Sequence, residues 1–167
     1  TLLEANGASD ITVGGYQAMT GGYSRLMARF EASFTIAGTR ESGTYVLRGD
    51  PPKGTALIET DRSQEFAVIQ AVSPYLNTPA ARFLDAEGDF IGTPALILDF
   101  TEAESTLPWI EKNSAASLPP KLAEVAGAMH TIPVNALPEI LERPVSGDPI
   151  TDQIMMWKQT AVNHVEH

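Results

Sequence analysis

After Pro94 the chain runs Ala95-Leu96-Ile97-Leu98 before reaching Asp99, with no polar side chain in between. Successive side chains of a strand point to opposite faces, so a run that is apolar at every position buries both of them. Such a strand belongs inside a sheet, and the rest of the chain must supply its neighbours. Candidates are Ile11-Thr12-Val13, a second run from Leu26 to Ala32, the segment Thr44 to Arg48, and Ala81 to Asp85. Glycines punctuate these runs, and a single helix-like segment from Asp61 to Val72 lies among them. Residues 104–167 are richer in proline and read as helix and loop. The expected fold class is α+β.

The third of these strands poses a question of charge. In Thr44-Tyr45-Val46-Leu47-Arg48, Thr44, Val46 and Arg48 share one face and Tyr45 and Leu47 the other, before Pro51-Pro52 stops the strand. The helix that follows has Asp61 to cap its first turn and Ser73-Pro74 to end it. Glu65, Ile69 and Val72 fall on one stripe of it, with Leu76 added if the helix reaches past Pro74, which places a carboxylate at the edge of the buried face. A buried carboxylate needs a cation, and Arg48 is the candidate. The alternative is that Arg48 reaches into solvent and Glu65 rides the edge of the stripe.

Upstream, Thr20-Gly21-Gly22-Tyr23-Ser24 joins the first two strand-like runs. Paired glycines permit positive φ and close backbone approach, as a loop whose amides cover a phosphate requires. An ordinary glycine-bearing hairpin has the same sequence, and a G-x-G-x-x-G pattern is absent.

Composition narrows the function classes. With 11 basic against 21 acidic residues the formal net charge is −10, which disfavours nucleic-acid backbones and anionic membrane surfaces as partners. No cysteine is present, so thiolate metal sites and disulfides are excluded. No apolar run approaches the roughly 20 residues of a membrane span, and cytoplasm is the expected location. The chain starts at Thr1 rather than Met, which implies a trimmed start.

The order of these parts resembles a protein-kinase-like N-lobe, an antiparallel sheet with one αC-type helix, followed by the first helices of a C-lobe. More narrowly, the stretches TGGYSR, VLRGDPP and E-T-D-R-x-x-E-F at 59–66 resemble the aminoglycoside/choline-kinase-like phosphotransferases. The branch nearest in pattern is the kinase portion of acyl-CoA dehydrogenase fusion proteins. The likeness spans roughly residues 11–105 and continues weakly over 119–130. It implies an N-lobe over 1–103 with a hinge at about 99–102, and the opening of a C-lobe over 104–167. It also implies ATP and Mg2+ as cofactors and a small-molecule hydroxyl as acceptor. Arg48 would contact the nucleotide phosphates, where kinases in general use lysine, and Glu65 would orient it. Gly21, Gly22, Tyr23 and Ser24 would cover the phosphates. Asp99, Phe100 and Thr101 would form the hinge, with the Asp99 carbonyl and the Thr101 N–H reading adenine.

The catalytic half of that pattern is not found. The family keeps its base and a metal ligand in an H-G-D-x-x-x-x-N-like loop. Here Gly-Asp occurs at 49–50, 88–89 and 147–148, never after histidine, and position 153 is Gln. Catalytic and metal-binding residues are therefore assigned to none of these positions, and the chain is expected to be an N-terminal portion of its parent enzyme. In the second half, Pro119-Pro120 opens a helix with Leu122, Val125, Ala126 and Met129 on one stripe, and His130 reads as a core or supporting residue. His164 and His167 lack ligand spacing. The alternative to a kinase is a non-catalytic kinase-like module that binds a nucleotide or a partner. Met155, Met156 and Trp157 would then form an interaction face, self-association included.

Overall fold

A computed structural model of the chain describes residues 1–19, 25–51, 61–103, 106–138 and 148–165. It divides into two compact units, Thr1–Leu137 and Pro138–His167. The first unit holds five strands, β1 (Ser9–Ala18), β2 (Leu26–Ile36), β3 (Thr39–Gly49), β4 (Ala81–Asp85) and β5 (Ala95–Asp99). They form one antiparallel sheet in the order β1-β2-β3-β5-β4. Helix α1 (Leu2–Ala5) precedes the sheet, α2 (Arg62–Val72) lies between β3 and β4, and α3 (Thr106–Asn113) and α4 (Leu118–His130) follow it. The second unit contains α5 (Pro149–Val165). The fold is α+β.

Alternation in the central strands separates two cores. Phe30, Ala32 and Phe34 of β2, Tyr45 of β3, Phe83 of β4 and Ile97 of β5 meet on one face of the sheet, closed by Leu2 and Leu3 of α1. On the other face Val46, Leu96 and Leu98 pack with Phe66 and Ile69 of α2. The apolar run of β5 thus serves both cores, as its sequence requires. Helix α1 was not expected. It has only four residues, and its two leucines gain their stability from the sheet rather than from helix propensity.

β3 begins at Thr39, ahead of the aromatic run that marks it in the sequence. The extension comes from a two-residue turn in which Ala37 and Gly38 both take positive φ, 48° and 77°. That geometry matches the twist of the paired strands and brings Ile36 opposite Thr39.

The β4–β5 connection is built around a buried acid. Asp85 accepts hydrogen bonds from the amides of Asp89 (2.9 Å), Phe90 (3.0 Å) and Ile91 (2.8 Å). Gly88, at φ +82°, passes so close to Thr93 that a Cβ there would lie 2.6 Å from the Thr93 carbonyl carbon. Gly88→Ala should therefore lower the unfolding free energy by about 2 kcal/mol, readable as a shift in urea midpoint at constant slope.

Helix α4 forms where its prolines and apolar stripe place it, and the Lys121 ammonium lies 5.9 Å above the Trp109 ring of α3. Its stripe is not buried: Leu122, Val125 and Met129 are all exposed. His130 is exposed as well, so the expectation of a core histidine is corrected.

Candidate functional site

The end of β3 and the start of α2 assemble a four-membered charge network. Strand alternation puts Arg48 on the same face as Val46, the face that α2 covers. Asp61 caps α2, its Oδ1 accepting from the amides of Ser63 (2.8 Å) and Gln64 (3.1 Å). With the first turn so held, Arg62 and Glu65 stand three residues apart on one side of the helix. Arg48 Nη1 lies 3.1 Å from Glu65 Oε1. The other carboxylate oxygen, Oε2, accepts a short hydrogen bond from Arg62 Nη1. Arg62 Nε lies 3.1 Å from Asp50 Oδ1, a meeting of charges whose angle is not that of a hydrogen bond.

Asp50 is itself tied to the sheet. Its amide donates to the Pro94 carbonyl (2.9 Å), and its carbonyl accepts from Thr93 Oγ1 (3.1 Å). The four side chains differ in their access to water. Arg62 is 1% exposed, Glu65 21%, Asp50 22% and Arg48 37%. A guanidinium as enclosed as that of Arg62 is tolerable only with carboxylates beside it, and here it has two. Arg48 is the outermost cation. Its Nε is enclosed and has no hydrogen-bond partner among the described residues, and the side chain as a whole is the most exposed of the four.

The residues expected to form a hinge make a second group. Asp99 ends β5 with its carboxylate on Arg82 Nε at 2.8 Å, and Arg82 Nη2 also reaches Glu41 at 3.1 Å. The hydrogen bond to Asp99 holds Arg82 still more firmly in its charged form, and burial pushes the neighbouring Tyr45 hydroxyl up from its ordinary pKa. The Asp99 and Phe100 amides are bonded to the Ala80 and Thr44 carbonyls, at 2.9 and 3.0 Å. The Arg29 guanidinium lies 4.6 Å above the Phe100 ring, and Thr101 is exposed. Gly21, Gly22, Tyr23 and Ser24 lie outside the described residues, as does His167.

Two members of the network, Arg62 and Asp50, escaped the sequence reading. The spacing of Arg62 and Glu65 was a usable signal, since residues three apart on a helix are neighbours. Nothing in the sequence marks a first-turn arginine as buried. An open groove of about 430 Å³ crosses β1, β2 and β3, lined by Thr12, Gly14, Glu31, Ser33, Ser42 and Thr44 among others. Among the described residues, none of those expected to contact a nucleotide lines it. Among the described residues, no group of three or more His, Asp or Glu side chains is placed to hold a metal ion. No helix among them is long and apolar enough to cross a membrane. No protein-family model matches the chain, and no curated protein matches it in sequence.

Proposed function

We propose that this chain supplies the nucleotide-holding part of an ATP-dependent phosphotransferase acting on a small-molecule hydroxyl, with a kinase-like N-lobe over 1–103 and the opening of a second lobe beyond. The observation that carries this reading is the ion pair between Arg48, at the end of β3, and Glu65 on the helix that follows it. An antiparallel sheet with one helix between its third and fourth strands gives that pair the setting the resemblance implies. Arginine suits the task, because its planar fork can hold a carboxylate on one edge and a phosphate on the other. The Arg48 side chain is 37% exposed, which leaves it open to an arriving anion. ATP would supply the γ-phosphoryl group. Arg48 would hold its phosphates, Glu65 would hold Arg48, and catalysis would rest on positioning and charge stabilisation.

The test is calorimetric titration of the chain with Mg-ATP. Arg48→Ala is expected to weaken binding about tenfold or more while the far-ultraviolet spectrum and thermal midpoint stay near those of the parent. Equal affinity in the two proteins would remove Arg48 from the site and the reading with it.

A second reading, a non-catalytic module that binds a nucleotide or a partner, is favoured by a different observation. Ile154, Met155 and Trp157 are exposed on α5. Sedimentation of the chain across a concentration series, with and without Mg-ATP, separates the two. Self-association of the chain whether or not Mg-ATP is present would favour the module, and a monomer that binds Mg-ATP the first reading.

A further inference from the structure

The two arginines of the network do different work. Glu65 gives one oxygen to each, Oε2 to the enclosed Arg62 and Oε1 to the exposed Arg48. With Arg48 as the sole partner of Glu65, an incoming anion would have to compete with that carboxylate for one guanidinium and would meet its full charge. Arg62 changes this balance. The two guanidiniums and two carboxylates together sum to zero, and the cation that lies beside both acids is the most enclosed of the four. Arg62 also ties the first residue of α2 to Asp50, whose backbone is held by Thr93 and Pro94. The helix is thus tied to the sheet at a second point, beside the Arg48–Glu65 pair.

We propose that Arg62 is the positioning residue of this site: from the buried side it carries Glu65 and Asp50, and so leaves Arg48 able to take a polyphosphate. The ligand in this statement rests on the phosphate-holding reading of Arg48. The positioning of Glu65 stands on geometry alone.

The experiment titrates the full chain with sodium tripolyphosphate and, in parallel, with Mg-ATP. Arg62→Met keeps much of the side-chain volume and removes the charge. It is expected to weaken tripolyphosphate binding about tenfold although Arg48 is still present. A folded Arg62→Met protein that binds like the parent overturns the proposal. The double variant Arg62→Met/Asp50→Asn removes the acid that would otherwise be stranded, so it folds more readily. Its thermal midpoint should recover while its tripolyphosphate affinity stays low, because Glu65 is then left to Arg48 alone and competes with the anion. Recovery of both together means that Arg62 only supports the fold, and overturns the proposal. If the parent chain takes up neither tripolyphosphate nor Mg-ATP, it is the phosphate reading that fails. Double-mutant cycles in thermal unfolding then decide the role of Arg62. Coupling between Arg62 and Glu65 greater than that between Arg48 and Glu65 retains Arg62 as the residue that positions the acid, and equal or smaller coupling removes it.

Discussion

Phe34→Ala is expected to cost about 3–5 kcal/mol of unfolding free energy, a large part of the roughly 5–15 kcal/mol that a domain of this kind has. Phe34 is 1% exposed and sits where three elements of the first core converge. Its ring meets Phe83 edge-on at 5.7 Å and Tyr45 at a tilt at 5.9 Å, beneath the leucines of α1. Truncation removes both ring contacts and opens a cavity that the sheet cannot close, since β2 is paired on both sides over this stretch. Phe34→Leu should lose far less, about 1–2 kcal/mol, because it keeps most of the volume and gives up mainly the aromatic geometry. Urea unfolding of the three proteins at constant slope checks the order. A Phe34→Ala cost under about 1 kcal/mol would mean that the first core is not the one that holds the sheet together.

That core was only half legible in the sequence. β5 announced itself, because an apolar residue at every position has no other stable use in so short a run. The alternation of β3 assigned Tyr45 and Arg48 to opposite faces correctly, since a period of two leaves no freedom once one face is buried. Asp61 marked the start of α2 through a local hydrogen bond that needs no tertiary partner. Helix α1 stayed hidden because its stability is tertiary: Leu2 and Leu3 are buried by residues far along the chain. The β2–β3 turn stayed hidden because Ala37, at φ 48°, occupies a place usually signalled by Asn or Gly.

The charge network divides in the same way. Glu65 on an apolar stripe demanded a cation, and Arg48 meets that demand at 3.1 Å. The demand was met twice, and the burial of the second cation could not be foreseen. A first-turn arginine reads as a solvated residue, whereas Arg62 is buried where Asp50 and Glu65 converge on it in space. The helix stripe of α4 shows the reverse case. Its periodicity was legible and the helix formed, but periodicity states which residues share a face and not whether anything covers them.

Asp85→Ala is expected to cost about 3–4 kcal/mol, and its effect should reach the candidate site. The Asp85 side chain lies in a residue only 4% exposed and satisfies three backbone amides at once, those of residues 89, 90 and 91. Without it these donors must find water or remain unpaired, and the tight path through Gly88 to Thr93 loses the anchor that sets it. Asp85→Asn should be nearly as costly despite its shape, within about 1 kcal/mol of the alanine variant. Oδ1 receives one amide and Oδ2 two, so either orientation of the asparagine turns its own NH2 group toward a donor. Thr93 and Pro94 lie at the end of this connection, and they are the residues that hold the Asp50 backbone. Loosening residues 86–94 therefore frees Asp50, weakens its hold on Arg62 and lets the first turn of α2 move. Amide hydrogen exchange reads both steps. The amides of 89–91 should lose protection in Asp85→Asn, and those of Asp50 and Glu65 should lose it to a smaller degree. Unchanged protection at Asp50 and Glu65 beside lost protection at 89–91 would confine the role of Asp85 to its own loop.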